Sequence, residues 1–150
     1  MKRIIAFAFT LLYVLLCNAR EDMSRDTLTF DPQHFRIDVD YMYPRRWSAR
    51  SLDYGYSLEL RNDSVICHLP YMGVAYQADF DTDGLNFEKP VTQYSIKKGK
   101  KNRLQIRFNC RKSIVDYQFL VTLFPNGKAT IRMIPSNAES INYDGELSFE

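Results

Sequence analysis

The stretch IVDYQFLVTLFPNGKATIRMI, residues 114–134, decides the fold class of this chain. Apolar side chains alternate through its first half, which is the period of a β-strand and not of a helix. The alternating positions are Val115, Tyr117, Phe119, Val121 and Leu123. Leu120 and Phe124 make the opposite face partly apolar, so we expect a central strand. Asn126-Gly127 tolerates positive φ at little cost and turns the chain back, so the stretch predicts a β-hairpin.

Strand patterns continue on both sides of this hairpin. Residues 35–41 alternate apolar and charged side chains, and residues 54–60 and 64–69 form a second hairpin around polar turn residues. The other predicted strands are residues 74–80, 92–97, 103–110 and 146–149, the last of them after an Asp144-Gly145 turn. Roughly eight to nine short strands predict an all-β antiparallel sandwich or barrel. The sequence does not choose between these two architectures.

The amino-terminal end has the pattern of an export signal. Lys2 and Arg3 precede an uncharged apolar run over residues 4–16, and the small residues expected before a cleavage site follow, ending at Ala19. The run is shorter than the stretch of about 20 helical residues that spans a bilayer. We therefore expect residues 1–19 to be a signal peptide. The mature chain is then periplasmic or extracellular and has no transmembrane helix.

Cys17 leaves a second form of export open. As the lipid-modified first residue it would make the protein a lipoprotein, but that processing favours a small preceding residue, and Leu16 is large. We therefore expect cleavage after Ala19 rather than anchoring. Residues 20–150 then form a single all-β domain, in which the charged residues 20–32 are a mobile lead-in or a short helix.

The charge of the mature chain argues against nucleic acid as a partner. The whole chain has 20 basic and 18 acidic side chains, and the signal removes Lys2 and Arg3 but no acid. The mature chain is therefore neutral. A neutral domain lacks the positive field that attracts a phosphate backbone.

Cys67 and Cys110 are the two cysteines of the mature chain. Each shares parity with the apolar residues of its predicted strand, so both thiols should point inward. An exported protein meets an oxidising compartment, in which a disulfide between them would persist. Parity does not establish the short Cα separation that a bridge needs, so a disulfide and two separately buried thiols both stay open.

Several motifs resemble those of a family of secreted Bacteroidetes proteins, the domain of unknown function 4251. They are Gly55-Tyr56-Ser57-Leu58, Asn62-Asp63-Ser64-Val65, Leu69-Pro70-Tyr71-Met72-Gly73-Val74-Ala75-Tyr76, Gly84-Leu85-Asn86-Phe87, Asn126-Gly127-Lys128-Ala129 and Ile141-Asn142-Tyr143-Asp144-Gly145. The resemblance covers roughly residues 40–149 and implies an exported, all-β domain without an assigned activity. The chain departs from the family at residues 43–47, YPRRW, which are bulkier and more basic than the small, glycine-containing segment expected there.

Five residues are candidates for ligand binding. Arg45, Arg46 and Trp47 combine planar cations with an aromatic face, which suits anionic glycans or the carboxylates of a protein partner. Tyr71 and Tyr76 would offer stacking platforms for sugars. The same residues also have a structural interpretation, as a solvated edge strand with an indole folded onto the core and as half-buried tyrosines of ordinary strands.

Asp79, Asp81 and Asp83, followed by Gly84, match the first half of a calcium loop. Pro90 occupies the place of the bidentate glutamate, so the second half of the loop is missing. We therefore expect an acidic turn, no metal site and no cofactor.

The sequence contains no recognisable catalytic motif. A nucleophile elbow, a phosphate loop and the spacings of zinc ligands are all missing. We expect a small exported binding or structural module of the cell envelope, with an envelope glycan or a protein as partner. The alternative is a hydrolase of envelope glycans or polymers that uses scattered carboxylates, whose catalytic residues the sequence does not identify.

Overall fold

The computed structural model describes residues 30–76 and 85–148. The chain divides into two units, Met1–Phe30 and Asp31–Glu150, and the fold is that of the second unit. Its strands are β1 (His34–Tyr43), β2 (Arg50–Ser51), β3 (Ser57–Arg61), β4 (Ser64–Leu69), β5 (Leu85–Lys98), β6 (Leu104–Lys112), β7 (Val115–Leu123), β8 (Lys128–Pro135) and β9 (Ile141–Ser148). In this part of the chain, no helix is long and apolar enough to cross a membrane.

The strands close into a barrel. From β3 to β9 each strand pairs antiparallel with the next one in the chain, and β1 pairs with β3 on one side and with β9 on the other. This ring contains eight strands, and the two-residue β2 adds to the end of β1 as an extra strand. The all-β prediction is confirmed, and the structure selects the barrel. Closure leaves the ring without a free sheet edge.

The interior of the barrel is filled by side chains. Alternate residues of β7 are buried, as the sequence pattern predicts, and Phe119 is fully buried against Phe108 on β6. The two rings stack with their centroids 5.1 Å apart. Tyr117 and Tyr143 are the other large aromatic side chains that are fully buried in the described residues. The barrel therefore encloses a packed core.

Two local predictions were wrong, for different reasons. Asp144-Gly145 is not a turn but lies within β9, because β1 has a bulge between Val39 and Tyr41 that lets Gly145 approach its backbone closely. Residues 74–76 do not form a strand, since only Ala75 makes an isolated bridge. The rest of that predicted strand, residues 77–80, lies outside the described residues.

Both cysteines point into the core, as predicted. Cys67 on β4 and Cys110 on β6 are buried free thiols in the structure. Burial raises the pKa of the Cys110 thiol to about 12, and it raises the pKa of Cys67 well above its ordinary value. Both sulfurs are therefore protonated and inert as nucleophiles near neutral pH.

Candidate functional site

One end of the barrel is closed by a segment that we call the strap, residues 70–76. The strap leaves β4 and pairs with the loop between β8 and β9, residues 136–140, on the opposite side of the ring. Ala75 bridges Ala138, and the backbone N–H of Tyr76 donates to the carbonyl of Asn137 at 2.7 Å. The strap therefore covers the interior at this end.

Glu139 fixes the strap through a buried carboxylate. One carboxylate oxygen accepts a hydrogen bond from Nε of Arg46 at 2.7 Å, and the other accepts from the backbone N–H of Val74 at 3.3 Å. The Tyr71 hydroxyl donates to the backbone carbonyl of Glu139 at 2.9 Å. The contacts of Arg46 and Val74 satisfy a carboxylate charge that would otherwise be costly to bury.

The strap thus brings together three of the five residues that the sequence marks as binding candidates. Arg46 and Tyr71 make the contacts to Glu139, and Tyr76 lies beside them with 62% of its surface exposed. Burial, with the nearby Glu139 carboxylate second, raises the pKa of Tyr71 to about 12. The Tyr71 phenol is therefore a neutral donor at physiological pH.

The other two candidates, Arg45 and Trp47, lie exposed in the loop that follows β1. Trp47 is 46% exposed, so its indole is not folded into the core. In the same end of the barrel the side-chain amide of Asn137 is buried and has no hydrogen-bond partner among residues 30–76 and 85–148. Tyr76 and Trp47 give the strapped end two exposed aromatic rings that a ligand could contact.

A concave surface, which we call the outer groove, lies on the outside of the barrel and has a volume of about 670 Å³. It crosses β5 to β9, and the strand register places its side chains in two rows. The first row is Ser95, Arg107, Leu120, Arg132 and Asn142, which are successive partners across the five strands. All five share the outward face, because partners in a ladder point to the same side of the sheet.

The second row runs beside the first and is two residues away from it on each of the five strands. It consists of Lys97, Gln105, Thr122, Thr130 and Asp144, again successive partners in the ladder. Hydroxyl and amide groups predominate in this row. Tyr43 of β1 lies at the end of the groove, and its hydroxyl donates to the Asp144 carboxylate at 2.7 Å.

The charge of the outer groove is positive. Arg107 and Arg132 are exposed and flank Leu120, and neither makes an ion pair or a side-chain hydrogen bond within the described part of the chain. Two strand spacings separate their backbones, which is about 10 Å. Lys97 adds a third cation. Asp144 is the one carboxylate among the described lining residues, and its hydrogen bond raises the pKa of Tyr43, so that phenol stays protonated.

Sequence reasoning missed the outer groove and Glu139. The parity of β6 and β8 would have placed Arg107 and Arg132 outward, but only the register of three strands shows that both flank Leu120. Glu139 lies in a short polar loop that resembles any other turn in the sequence. Its role depends on two segments that are distant in the chain.

Within residues 30–76 and 85–148, no three His, Cys, Asp or Glu side chains come close enough together to hold a metal ion. The weak calcium candidates Asp79, Asp81 and Asp83 lie outside the described residues.

Comparison with known proteins identifies a family but no activity. The model of the family described as domain of unknown function DUF4251 matches residues 26–147. The fold is similar to the crystal structure of a DUF4251 family protein from Bacteroides eggerthii, with a TM-score of 0.59, 15% sequence identity, and coverage of 77% of this chain and 78% of that chain. No curated protein matches the chain significantly.

Proposed function

The chain belongs to the DUF4251 family, whose function is unassigned, and we propose that it is an exported, non-enzymatic binding module of the cell envelope that holds its ligand in the outer groove. One observation carries the proposal: Arg107 and Arg132 flank Leu120 in a groove of about 670 Å³, with no protein partner for either guanidinium in the described residues. Exposed cations that the fold does not use are available to a ligand.

The filled interior supports an external site. Barrels of about eight strands can hold one small ligand inside when side chains leave room. Here Phe108, Phe119, Tyr117 and Tyr143 occupy the interior, and the strap covers one end. A ligand is therefore better accommodated on the outer surface.

The lining of the outer groove supports binding over hydrolysis. A glycosidase needs two carboxyl groups about 5–9.5 Å apart on either side of the scissile bond. Asp144 is the single carboxylate among the described lining residues, and it is occupied by the Tyr43 hydroxyl. The two thiols are buried and protonated, so they offer no nucleophile to this surface.

Filling the outer groove should weaken ligand binding. We expect purified residues 20–150 to bind a component of a glycan and peptidoglycan array and to release no product in a parallel turnover assay. Thr122→Trp, which places an indole in the groove, should weaken that binding at least about tenfold, or 1.4 kcal/mol. Thr92→Trp is the matched control, because Thr92 is an exposed strand residue outside the groove lining.

Two results would contradict this assignment. Product formation would show an enzyme. Retained binding in Thr122→Trp, together with loss in Tyr76→Ala, would place the ligand at the strapped end instead.

Export is a separate part of the proposal and rests on the amino-terminal pattern. Mass spectrometry of protein recovered from the cell envelope should give Arg20 as the first residue, because Ala19 ends the signal pattern. A diacylated Cys17 terminus would instead make the protein a membrane-anchored lipoprotein.

A further inference from the structure

We propose that the ligand of the outer groove is an acidic oligosaccharide whose carboxylates are bound by Arg107 and Arg132, an inference that rests on the proposed function. The two arginines lie in one row, on either side of Leu120. Their backbones are about 10 Å apart. Carboxylates on alternate residues of an acidic sugar chain recur on this scale, and the guanidinium fork matches a carboxylate in geometry.

The second row of the groove suits the hydroxyl groups of sugars. Gln105, Thr122 and Thr130 are adjacent partners across β6, β7 and β8, directly beside the arginine row. Amide and hydroxyl groups both donate and accept hydrogen bonds, so they match the mixed donors and acceptors of a sugar. A ligand that offered only carboxylates, without hydroxyl groups, would need cationic side chains at these three positions instead.

Tyr43 supplies an aromatic ring at the end of the same groove. It is 39% exposed, and the hydrogen bond of its hydroxyl to Asp144 holds the ring in place. Fixed aromatic rings with one polar end are common binding platforms, because they give contact area at a small cost in conformational entropy.

The same features disfavour an acidic peptide. Extended peptides commonly bind by adding a strand to a free sheet edge, and the strands that carry the groove are paired on both sides in the closed ring. Peptide anchors also require apolar pockets, and Leu120 is the only outward apolar side chain in the two rows. A polar, cationic surface without an edge favours the sugar.

The test compares three probes by titration calorimetry with purified residues 20–150. The probes are a tetramer of galacturonic acid, its fully methyl-esterified form and a hexaglutamate peptide. We expect the acidic tetramer to bind and the ester to bind at least about tenfold more weakly, since esterification removes the charge and leaves the backbone. Binding should weaken as salt rises, because both arginines are exposed.

Variants assign the binding to the two arginines. Arg107→Gln and Arg132→Gln should each weaken the acidic tetramer about tenfold, while having little effect on the ester. Arg50→Gln is the control, an exposed arginine of β2 that does not line the groove, and it should bind like the parent.

Failure of this inference differs from failure of the proposed function. Equal affinity for the tetramer and the ester, tighter binding of the peptide, or no binding of the tetramer would each overturn the acidic oligosaccharide. The outer groove would still be supported as the binding site if Thr122→Trp weakened binding of the array ligand at least about tenfold. If Thr122→Trp had no effect on that ligand, both the groove and the oligosaccharide would be wrong.

Discussion

Replacing Phe119 with Ala should lower the free energy of unfolding by about 3–5 kcal/mol. Phe119 has no exposed surface, stacks on Phe108 and pairs with Met133 of the next strand. Truncation would leave a cavity in the centre of the barrel, where neighbouring strands are fixed by their ladders and cannot collapse into it. A domain of this size is typically stable by about 5–15 kcal/mol, so the variant should lose a large part of its stability. Urea denaturation followed by circular dichroism measures the loss.

Gln118→Thr is the matched control on the same strand. Gln118 points outward and is half-buried, and its amide makes one long hydrogen bond to Asn109 at 3.4 Å. Its replacement should change stability by about 1 kcal/mol or less. If Phe119→Ala melted like the parent while Gln118→Thr unfolded, the inward and outward faces of β7 would be exchanged.

Local patterns predicted the part of the fold around β7. Alternation over residues 114–124 identified the buried face, and Asn126-Gly127 identified the turn, where Gly127 has a φ of 81°. These features depend on neighbouring residues in the chain. A strand period and a turn dipeptide are therefore visible without knowledge of the partner strands.

Closure of the barrel was not visible in the sequence, because it depends on pairing between the two ends of the domain. β1 and β9 are the first and last strands, and their register is set by a bulge in β1 opposite Gly145. Read locally, Asp144-Gly145 has the composition of a turn. The contact across the barrel decides otherwise, since glycine is needed there for close approach of two strands.

The candidate sites show the same limit. Arg46 and Tyr71 were recognised as a planar cation and an aromatic ring, but their shared partner Glu139 is 93 and 68 residues away in the chain. The outer groove likewise combines one residue from each of five strands in each row. Residue type indicates what a side chain can bind, whereas the register decides which side chains act together.

Gly145→Ala should break the closure of the barrel. A Cβ atom at position 145 would lie 3.0 Å from the carbonyl carbon of Asp38 and from Cα of Val39, and closer still to the carbonyl oxygen of Asp38. These are backbone atoms of β1, so rotation of a side chain cannot relieve the contact. Overpacking commonly costs about 1–3 kcal/mol, and we expect about 3 kcal/mol or more here because two strands must separate.

Hydrogen exchange distinguishes loss of this closure from general destabilisation. Backbone amides that pair β1 with β9 should lose protection from exchange in Gly145→Ala. Backbone amides that pair β6 with β7 should keep their protection, because that ladder does not contact β1. Gly99→Ala is the control, since its added Cβ would meet nothing closer than 3.6 Å. If the two variants had the same stability and the same exchange pattern, β1 and β9 would not approach as closely at Gly145 as the structure requires.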